Sequence, residues 1–261
     1  MLDDLYAGAL ADAEKRAEQF SHSELEQLIG KQPAALDAKA ILKATNHIQV
    51  IAEIKRASPS KGDLAAIPDA AALAKTYETS GAAAISVLTE ERKFKGSLED
   101  LIAVRSAVTS PILRKDFISI EQQVLEARAY GADIVLLIVA GLDQATLEHL
   151  FRFTTSFGMT PFVETHNAEE VKRAIDVGAE LIGVNARDLG TFETDRNLFA
   201  ELVDLLPKDS IAVAESAVRN LDDVVNYAKA GADCVLIGEA LVTGDPVQLL
   251  QSIQQVPKIR L

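Results

Sequence analysis

A chain of 261 residues with 48% hydrophobic and 25% charged side chains has the composition of a globular protein, which excludes wholesale disorder. Its length admits one large domain or two small ones. Its 26 Lys and Arg against 39 Asp and Glu give a formal net charge of −13. That balance repels nucleic acid and anionic membrane surfaces, so neither is an expected partner. A small anionic ligand is still allowed, because a local cluster of donors can override the global field.

The chain opens Met1-Leu2-Asp3-Asp4-Leu5, which is acidic and has no long apolar run, so no signal peptide is expected. Leu2, Leu5, Tyr6, Ala9, Leu10 and Ala13 are spaced for an amphipathic helix. Ser23 and Glu26 have the spacing of a capping box, which predicts a second short helix. Two readings of this opening segment stand side by side: a cover over one end of the main body, or a frayed terminal helix.

From residue 49 the chain becomes repetitive. Gly-Ala recurs at 81, 131, 178 and 231, each time followed by a β-rich apolar run. Glycine ends a helix where a left-handed conformation is needed, and each run reads as a strand buried on both faces. Runs at Gln49–Ile54, 111–114, 159–163 and 210–214 supply further strands. The starts fall near 49, 83, 111, 133, 159, 181, 211 and 233. A mean spacing of ~26 residues fits one strand, one helix and two short loops.

Helical stripes lie between the runs. They are Leu98, Leu101, Ile102 and Arg105; Val124, Leu125 and Ala129; Leu147, Leu150, Phe151 and Thr154; and Val171, Ala174 and Ile175. Asn167 with Glu170, and Asp195 with Leu198, read as helix starts. These units predict an α/β fold, a single (βα)8 TIM barrel with an N-terminal helical extension. The extension covers 1–48 and the barrel 49–261, with no interdomain linker. An open, doubly wound sheet is the competing arrangement.

A single cysteine, Cys234, permits no intramolecular disulfide and suits a reducing compartment. The longest dense apolar stretch, 134–140, is too short to cross a bilayer. A cytoplasmic location is expected. Cys234 itself lies in a strand and reads as a core residue.

In such a barrel the chemistry sits at the C-terminal ends of the strands. Those ends carry Glu53, Lys55 and Arg56; Thr89 and Glu90; Arg114, Lys115 and Asp116; Glu164 and Thr165; Asn185 and Arg187; Glu215 and Ser216; and Gly238 and Glu239. The fourth ends in apolar Val139-Ala140. Glu53 and Lys55 are two apart and share a strand face. Gathering charges at one rim is costly unless they pair or bind ligand, so a pinning ion-pair network is the alternative to a site. Glu215-Ser216-Ala217 and Gly238-Glu239 follow the last two strands, where barrels often hold phosphate, with Ala240-Leu241-Val242 as a short extra helix. A tight turn is the plainer reading of Gly238. The basic loop Arg56-Ala-Ser58-Pro59-Ser60-Lys61-Gly62-Asp63 reads as a lid meeting an anion, or as a solvated loop. His22, His47, His149 and His166 lack metal-ligand spacing, so no metal site is expected. Neither a Gly-x-Gly-x-x-Gly fingerprint nor a Walker loop is present.

The stretch Ala52-Glu-Ile-Lys-Arg-Ala-Ser-Pro-Ser-Lys-Gly62 closely resembles the first-strand signature of the indole-3-glycerol phosphate synthase family. The resemblance continues through Ser86-Val-Leu-Thr-Glu90, Phe94-Lys-Gly-Ser97-Leu-Glu-Asp100 and Leu113-Arg-Lys-Asp-Phe117. It recurs in Val163-Glu164, Gly183-Val-Asn-Ala-Arg-Asp188, Ala214-Glu-Ser216 and Leu236-Ile-Gly-Glu-Ala-Leu241, and so spans essentially the whole chain. It implies closure of 1-(2-carboxyphenylamino)-1-deoxyribulose 5-phosphate to indole-3-glycerol phosphate, with loss of CO2 and water, in tryptophan biosynthesis. No cofactor is implied. The phosphorylated small molecule is the implied partner, and transient contact with other tryptophan-pathway enzymes is a further expectation.

By this resemblance Lys115 is the general acid on the ketone oxygen. Glu164 stabilises positive charge on the anilino nitrogen. Glu53 and Lys55 assist the dehydration, Asn185 orients the substrate, and Glu215 belongs to the same catalytic group. Arg187 and Ser216 hold the substrate, with Phe94 and Ala217 among its contacts. Ser58, Gly238 and Glu239 are expected at or near the phosphate. The family usually has Glu-Ser-Gly after strand seven. Ala217 replaces that glycine, at a cost of roughly 1–2 kcal/mol if the turn needs positive φ. Two rival readings are a phosphoribosylanthranilate isomerase and a catalytically dead barrel that binds a phosphate metabolite or a partner enzyme. The first uses a Cys at its first strand end, where this chain has Glu53 and Lys55. The presence of Lys115, Glu164, Glu53 and Lys55 together speaks against the second.

Overall fold

The computed structural model describes residues 2–188 and 193–259. Strands β1 (Gln49–Ile54), β2 (Ala84–Leu88), β3 (Ile112–Lys115), β4 (Ile134–Ile138), β5 (Thr160–Thr165), β6 (Leu181–Asn185), β7 (Ile211–Glu215) and β8 (Cys234–Ile237) form the sheet. Each starts within one residue of its expected place. They pair in parallel, and β1 bonds to both β2 and β8. The sheet is therefore a closed barrel, which excludes the doubly wound alternative.

Alternation along each strand separates two cores. On β1, Val50, Ala52 and Ile54 face outward and pack with the helices. Ile51 faces inward with Leu113, Leu136, Phe162, Val213, Cys234 and Leu236. Full burial of each large apolar side chain contributes roughly 1.5–3 kcal/mol. Glu53 shares the inward face of Ile51, as the sequence predicts, but sits at its upper end.

The opening segment grips the barrel at both ends. Helix α1 (Leu2–Ala17) lies across the C-terminal end, where Leu5 and Ala9 join the interior cluster. The Tyr6 ring packs edge-on to Phe117 at 5.6 Å. Helix α3 (Ala38–Lys43) closes the opposite end with Ala38 and Leu42. There Lys39 pairs with Glu180, and the Lys43 amino group donates to the Asp209 carbonyl. A frayed terminal helix is excluded. Helix α2 (His22–Ile29) packs on α6 (Glu121–Ala129) through Leu25, Leu125 and Ala129. Covered from outside as well as inside, α6 buries every residue from Gln122 to Ala129.

The remaining helices are α4 (Ala70–Thr79), α5 (Leu98–Ala107), α7 (Gln144–Ser156), α8 (Ala168–Asp176), α9 (Leu198–Leu202), α10 (Leu221–Ala230), α11 (Glu239–Thr243) and α12 (Pro246–Ile253). Several local expectations are corrected. The capping box of α2 is Ser21 with Glu24, not Ser23 with Glu26, because Ser21 is the last extended residue. On α5 the buried stripe runs Leu98, Leu101 and Val104; Ile102 faces solvent, and Arg105 pairs with Asp133. Ile175 is likewise exposed on α8. The start of α9 lacks a side-chain cap, and Asp195 instead accepts from the Asn197 N–H. Asn167 caps α8 and pairs with Glu170 as expected. Among the described residues no helix is long and apolar enough to cross a membrane.

A buried ionic chain fastens α1 to the barrel wall. Arg114, fully buried and outward-facing on β3, lies 3.0 Å from both Asp116 and Glu126. Glu126 also takes a bidentate bond from Arg16 of α1, at 2.9 and 3.0 Å. Removing one partner of such a set leaves an uncompensated buried charge. Glu126→Gln is expected to lower unfolding stability by about 3–5 kcal/mol, read from the urea midpoint. An unchanged midpoint would show that the chain of charges holds nothing together.

Candidate active site

A cavity of about 420 Å³ opens at the C-terminal end of the barrel, beneath α1. Every site residue expected from the sequence lines it: Glu53, Lys55, Ser58, Phe94, Lys115, Glu164, Asn185, Arg187, Glu215, Ser216, Ala217, Gly238 and Glu239. Asp116 also lines it, whereas three other strand-end residues turn away. Arg56 pairs with Asp100, Arg114 with Asp116 and Glu126, and Glu90 accepts backbone N–H groups from Arg92, Lys93 and Phe94. The Glu90 contacts shape the turn that presents the Phe94 ring.

Lys115 lies at the centre. Its Nζ is 3.2 Å from Glu164 Oε2 and 3.0 Å from Glu215 Oε2. Alternation explains the placement: Arg114 points to the helices, so Lys115 points inward. Asn185 Nδ2 donates to Glu164 Oε1 at 2.9 Å. Asn185 Oδ1 accepts from Ser216 Oγ at 2.7 Å and from the Arg187 N–H at 3.0 Å, which fixes the amide's orientation. Across the cavity, Lys55 Nζ sits 3.6 Å from Glu53 Oε1 and 5.5 Å from the centre of the Phe94 ring. The pinning network and the site are thus one object, because these ion pairs face the cavity.

Burial works against the Lys115 charge. The carboxylates of Glu164, Glu215 and Glu53 outweigh it and hold the ammonium protonated well above its ordinary range. Burial also opposes the Glu164 charge, yet Lys115, His166 and Asn185 keep that carboxyl ionised far below the usual range. Glu215 goes the other way. Burial and the neighbouring Glu164 charge raise it to about 8, against the pull of Lys115. One carboxyl of the pair is held charged and the other holds its proton more readily, as expected of two acids crowded on one cation.

Two glycines are required by this packing. A Cβ on Gly183 would lie 2.0 Å from Glu215 Oε1, and one on Gly238 would lie 2.5 Å from Glu53 Oε1. Gly238 therefore makes room for a carboxylate, beyond ending a strand.

The loop after β1 is neither free nor fully solvated. Ala57–Ser58 pairs antiparallel with Gly62–Asp63, Lys61 pairs with Glu239, and Arg187 Nη1 donates to Ser60 Oγ at 2.9 Å. The loop is tied across the rim to α11 and to the end of β6.

The sequence reading missed the apolar wall and one histidine. Leu5, Leu88, Phe117, Leu136, Ile138 and Leu236 line the cavity among the charges: Leu88 is the strand neighbour of Lys115, Ile138 of Glu164 and Leu236 of Glu215. A signal was present: β4 is the strand whose end carries no polar group. His166, which the sequence marks only as lacking metal-ligand spacing, lies 3.3 Å from Glu164 and 3.0 Å from Glu170, so its ring touches the site. Burial opposes its charge, but the two carboxylates raise it to about 10.

Ser216 and Ala217 both have positive φ, 66° and 62°. The turn after β7 does need the left-handed region, so Ala217 carries the steric cost that glycine avoids. Ala217→Gly is expected to raise stability by about 1 kcal/mol in urea unfolding. A loss instead would mean that the chain relaxes elsewhere to suit alanine.

The pKa shifts also fix a sign for stability against pH. Between an ordinary 4.5 and about 8, folded Glu215 holds a proton that the unfolded chain has lost. Between 6.5 and about 10, folded His166 does the same. Each contributes stability at low pH that is lost as pH rises through its window. The thermal midpoint is expected to fall from pH 6.5 to pH 9, and a flat or rising profile would contradict both assignments.

Fold and site together define a (βα)8-barrel enzyme whose rim carries buried lysine–carboxylate pairs. Comparison with known proteins takes the assignment further. The family model for indole-3-glycerol phosphate synthase matches residues 2–255. The chain belongs to that family, whose members are carboxy-lyases of tryptophan biosynthesis. It is 57% identical to the indole-3-glycerol phosphate synthase of Leifsonia xyli subsp. xyli over 256 residues, 98% of each chain. The synthase of Mycolicibacterium vanbaalenii is 55% identical over 94% of this chain and 90% of its own. That of Streptomyces griseus subsp. griseus is 53% identical over 94% and 91%. Among solved structures, the N-acetylmannosamine-6-phosphate 2-epimerase of Clostridium perfringens superposes with a TM-score of 0.63 at 14% identity. That match covers 83% of this chain and 95% of the epimerase, and bears on the fold alone.

Proposed function

We propose that the cavity binds 1-(2-carboxyphenylamino)-1-deoxyribulose 5-phosphate and closes its pyrrole ring, and that Lys115 is the acid that drives the first step. The observation that carries this reading is the Lys115 ammonium held between Glu164 and Glu215 inside the cavity. Attack of an aromatic carbon on a ketone builds charge on oxygen, and a cationic acid there stabilises it. Glu164 stabilises the positive charge that forms on the anilino nitrogen. Loss of CO2 then restores aromaticity. Loss of water needs a second acid–base pair, which is the role of Lys55 and Glu53. Glu215 shares Lys115 with Glu164 and tunes its acidity.

Asn185 orients the substrate through its fixed amide. The apolar wall from Leu5 to Leu236, with Phe94, accepts the aromatic ring. Arg187, Ser216 and Ala217 hold the sugar chain. Ser58, Gly238 and Glu239 lie at or near the phosphate, and the tied loop after β1 covers it. Holding a flexible sugar phosphate in a near-attack shape supplies part of the ~7–11 kcal/mol that orientation can contribute. Residues 1–48 and the barrel act as one unit. The enzyme works in the cytoplasm, without a cofactor, and meets other tryptophan-pathway enzymes transiently.

Turnover is read directly, because the chain has no Trp and the indole product emits over a low background. Emission is expected to grow on mixing protein with substrate and to persist in EDTA. Binding without any rise in emission would leave a dead barrel as the answer. Lys115→Ala is expected to lower kcat by about 10²–10⁴-fold while a product analogue still binds. Survival of turnover would remove Lys115 as the acid. Glu164→Gln is expected to slow turnover more than it weakens binding, and a loss confined to binding would leave Glu164 a positioning group.

A further inference from the structure

His166 has no part in the steps above, yet it is built into the site. It stands two residues beyond Glu164, between β5 and α8, with its side chain 10% exposed. Its ring bridges two carboxylates. Nδ1 is 3.0 Å from Glu170 Oε2, and Nε2 is 3.3 Å from Glu164 Oε1. The second contact is an ion pair without in-line hydrogen-bond geometry.

Glu170 is itself fixed. Its Oε2 accepts the His166 backbone N–H at 2.8 Å, and its Oε1 accepts from Asn167 Nδ2 at 2.7 Å. Asn167 in turn caps α8 by accepting the Glu170 N–H at 2.9 Å. The start of α8 thus doubles as a clamp on the imidazole. Neither neutral tautomer suits this clamp. A proton on Nδ1 alone leaves a lone pair facing Glu164, and a proton on Nε2 alone leaves one facing Glu170. Only the imidazolium gives Glu170 a donor while turning an N–H and a positive charge, rather than a lone pair, toward Glu164.

The charged groups placed against the ring are Glu164 from β5 and Glu170 from α8. Lys115 and Glu215 reach it only through Glu164, since Lys115 takes Oε2 while Asn185 and His166 share Oε1. We propose that His166 is a positioning residue for ring closure, an imidazolium that keeps Glu164 ionised and turned toward the cavity. The inference rests on the role given to Glu164 above. It explains how two buried acids crowded on one lysine divide: Glu164 has a second cation behind it and, among the described residues, Glu215 does not.

Nitrogen NMR of the intact protein tests the protonation state without any substitution. Both ring nitrogens of His166 are expected to be protonated at pH 8 and to titrate only above pH 9. A ring that titrates near the ordinary ~6.5 overturns the proposal. Kinetics tests the role. His166→Gln keeps a donor near Glu164 but removes the charge, and His166→Leu removes both. We expect kcat to fall about tenfold in the Gln variant and further in the Leu variant, with the acid limb of its pH profile moved up by about one unit. KM is expected to stay within about twofold. An unchanged acid limb in a folded Gln variant overturns the proposal. If Glu164→Gln is slow while His166→Gln behaves as the parent, only this inference falls. If Glu164→Gln turns over normally, the role of Glu164 falls with it.

Discussion

The pairing of the Lys115 ammonium with Glu164 and Glu215 is the constraint around which the rim is arranged. A buried cation without partners would lose its proton, and two buried carboxylates without a cation would gain one. Each group keeps its state only through the others. The surroundings then follow. Gly183 gives Glu215 room, Asn185 and His166 hold one oxygen of Glu164, and Ser216 holds Asn185. Residues from β3, β5, β6 and β7 are thus joined by polar contacts around a cavity that apolar side chains of β2, β4 and β8 also line.

The fold supplies alternation, which sends Lys115 inward and Arg114 outward from neighbouring positions. Arg114 then anchors the outer wall through Asp116 and Glu126, while Lys115 faces the cavity. One tetrapeptide, Arg114-Lys-Asp-Phe117, serves two layers. Its Phe117 ring also receives Tyr6 of α1, so the cover over the cavity is seated on the strand that carries the central lysine.

Much of this was legible in the sequence. The strand period is short and the runs are apolar on both faces, so eight strands and their starts could be read almost to the residue. The polar strand ends marked the rim because a charge at the end of an apolar run has few other uses. What stayed hidden depends on packing between distant elements. Ile102 and Ile175 fit a helical stripe as well as their neighbours do, and only the wall behind the helix decides which face is covered. The capping box of α2 sits two residues earlier than the sequence suggested, because the backbone leaves the extended region at Ser21. His166 looked idle because its partners are a strand residue two before it and a helix residue four after it, a spacing that signals no metal. The departure at Ala217 was visible as a change from the family pattern, but its positive φ was not.

The segment from α1 to α3 closes both ends of the barrel, and this has a consequence for the order of assembly. It leaves the ribosome before the barrel strands, yet the surfaces that receive it are made by those later strands. Helix α3 rests among Leu181, Ile211 and Cys234, and α1 among Phe117 and Ile138. The Leu42 carbonyl even accepts a bond from Lys258, 216 residues further on. Until the eighth strand is in place, the interior that Ala38 and Leu42 plug does not exist. The segment must therefore wait, and its docking amounts to a check that the ring is complete. A barrel short of one strand offers α3 no floor to sit on, and the cover over the cavity is tethered to that same waiting segment.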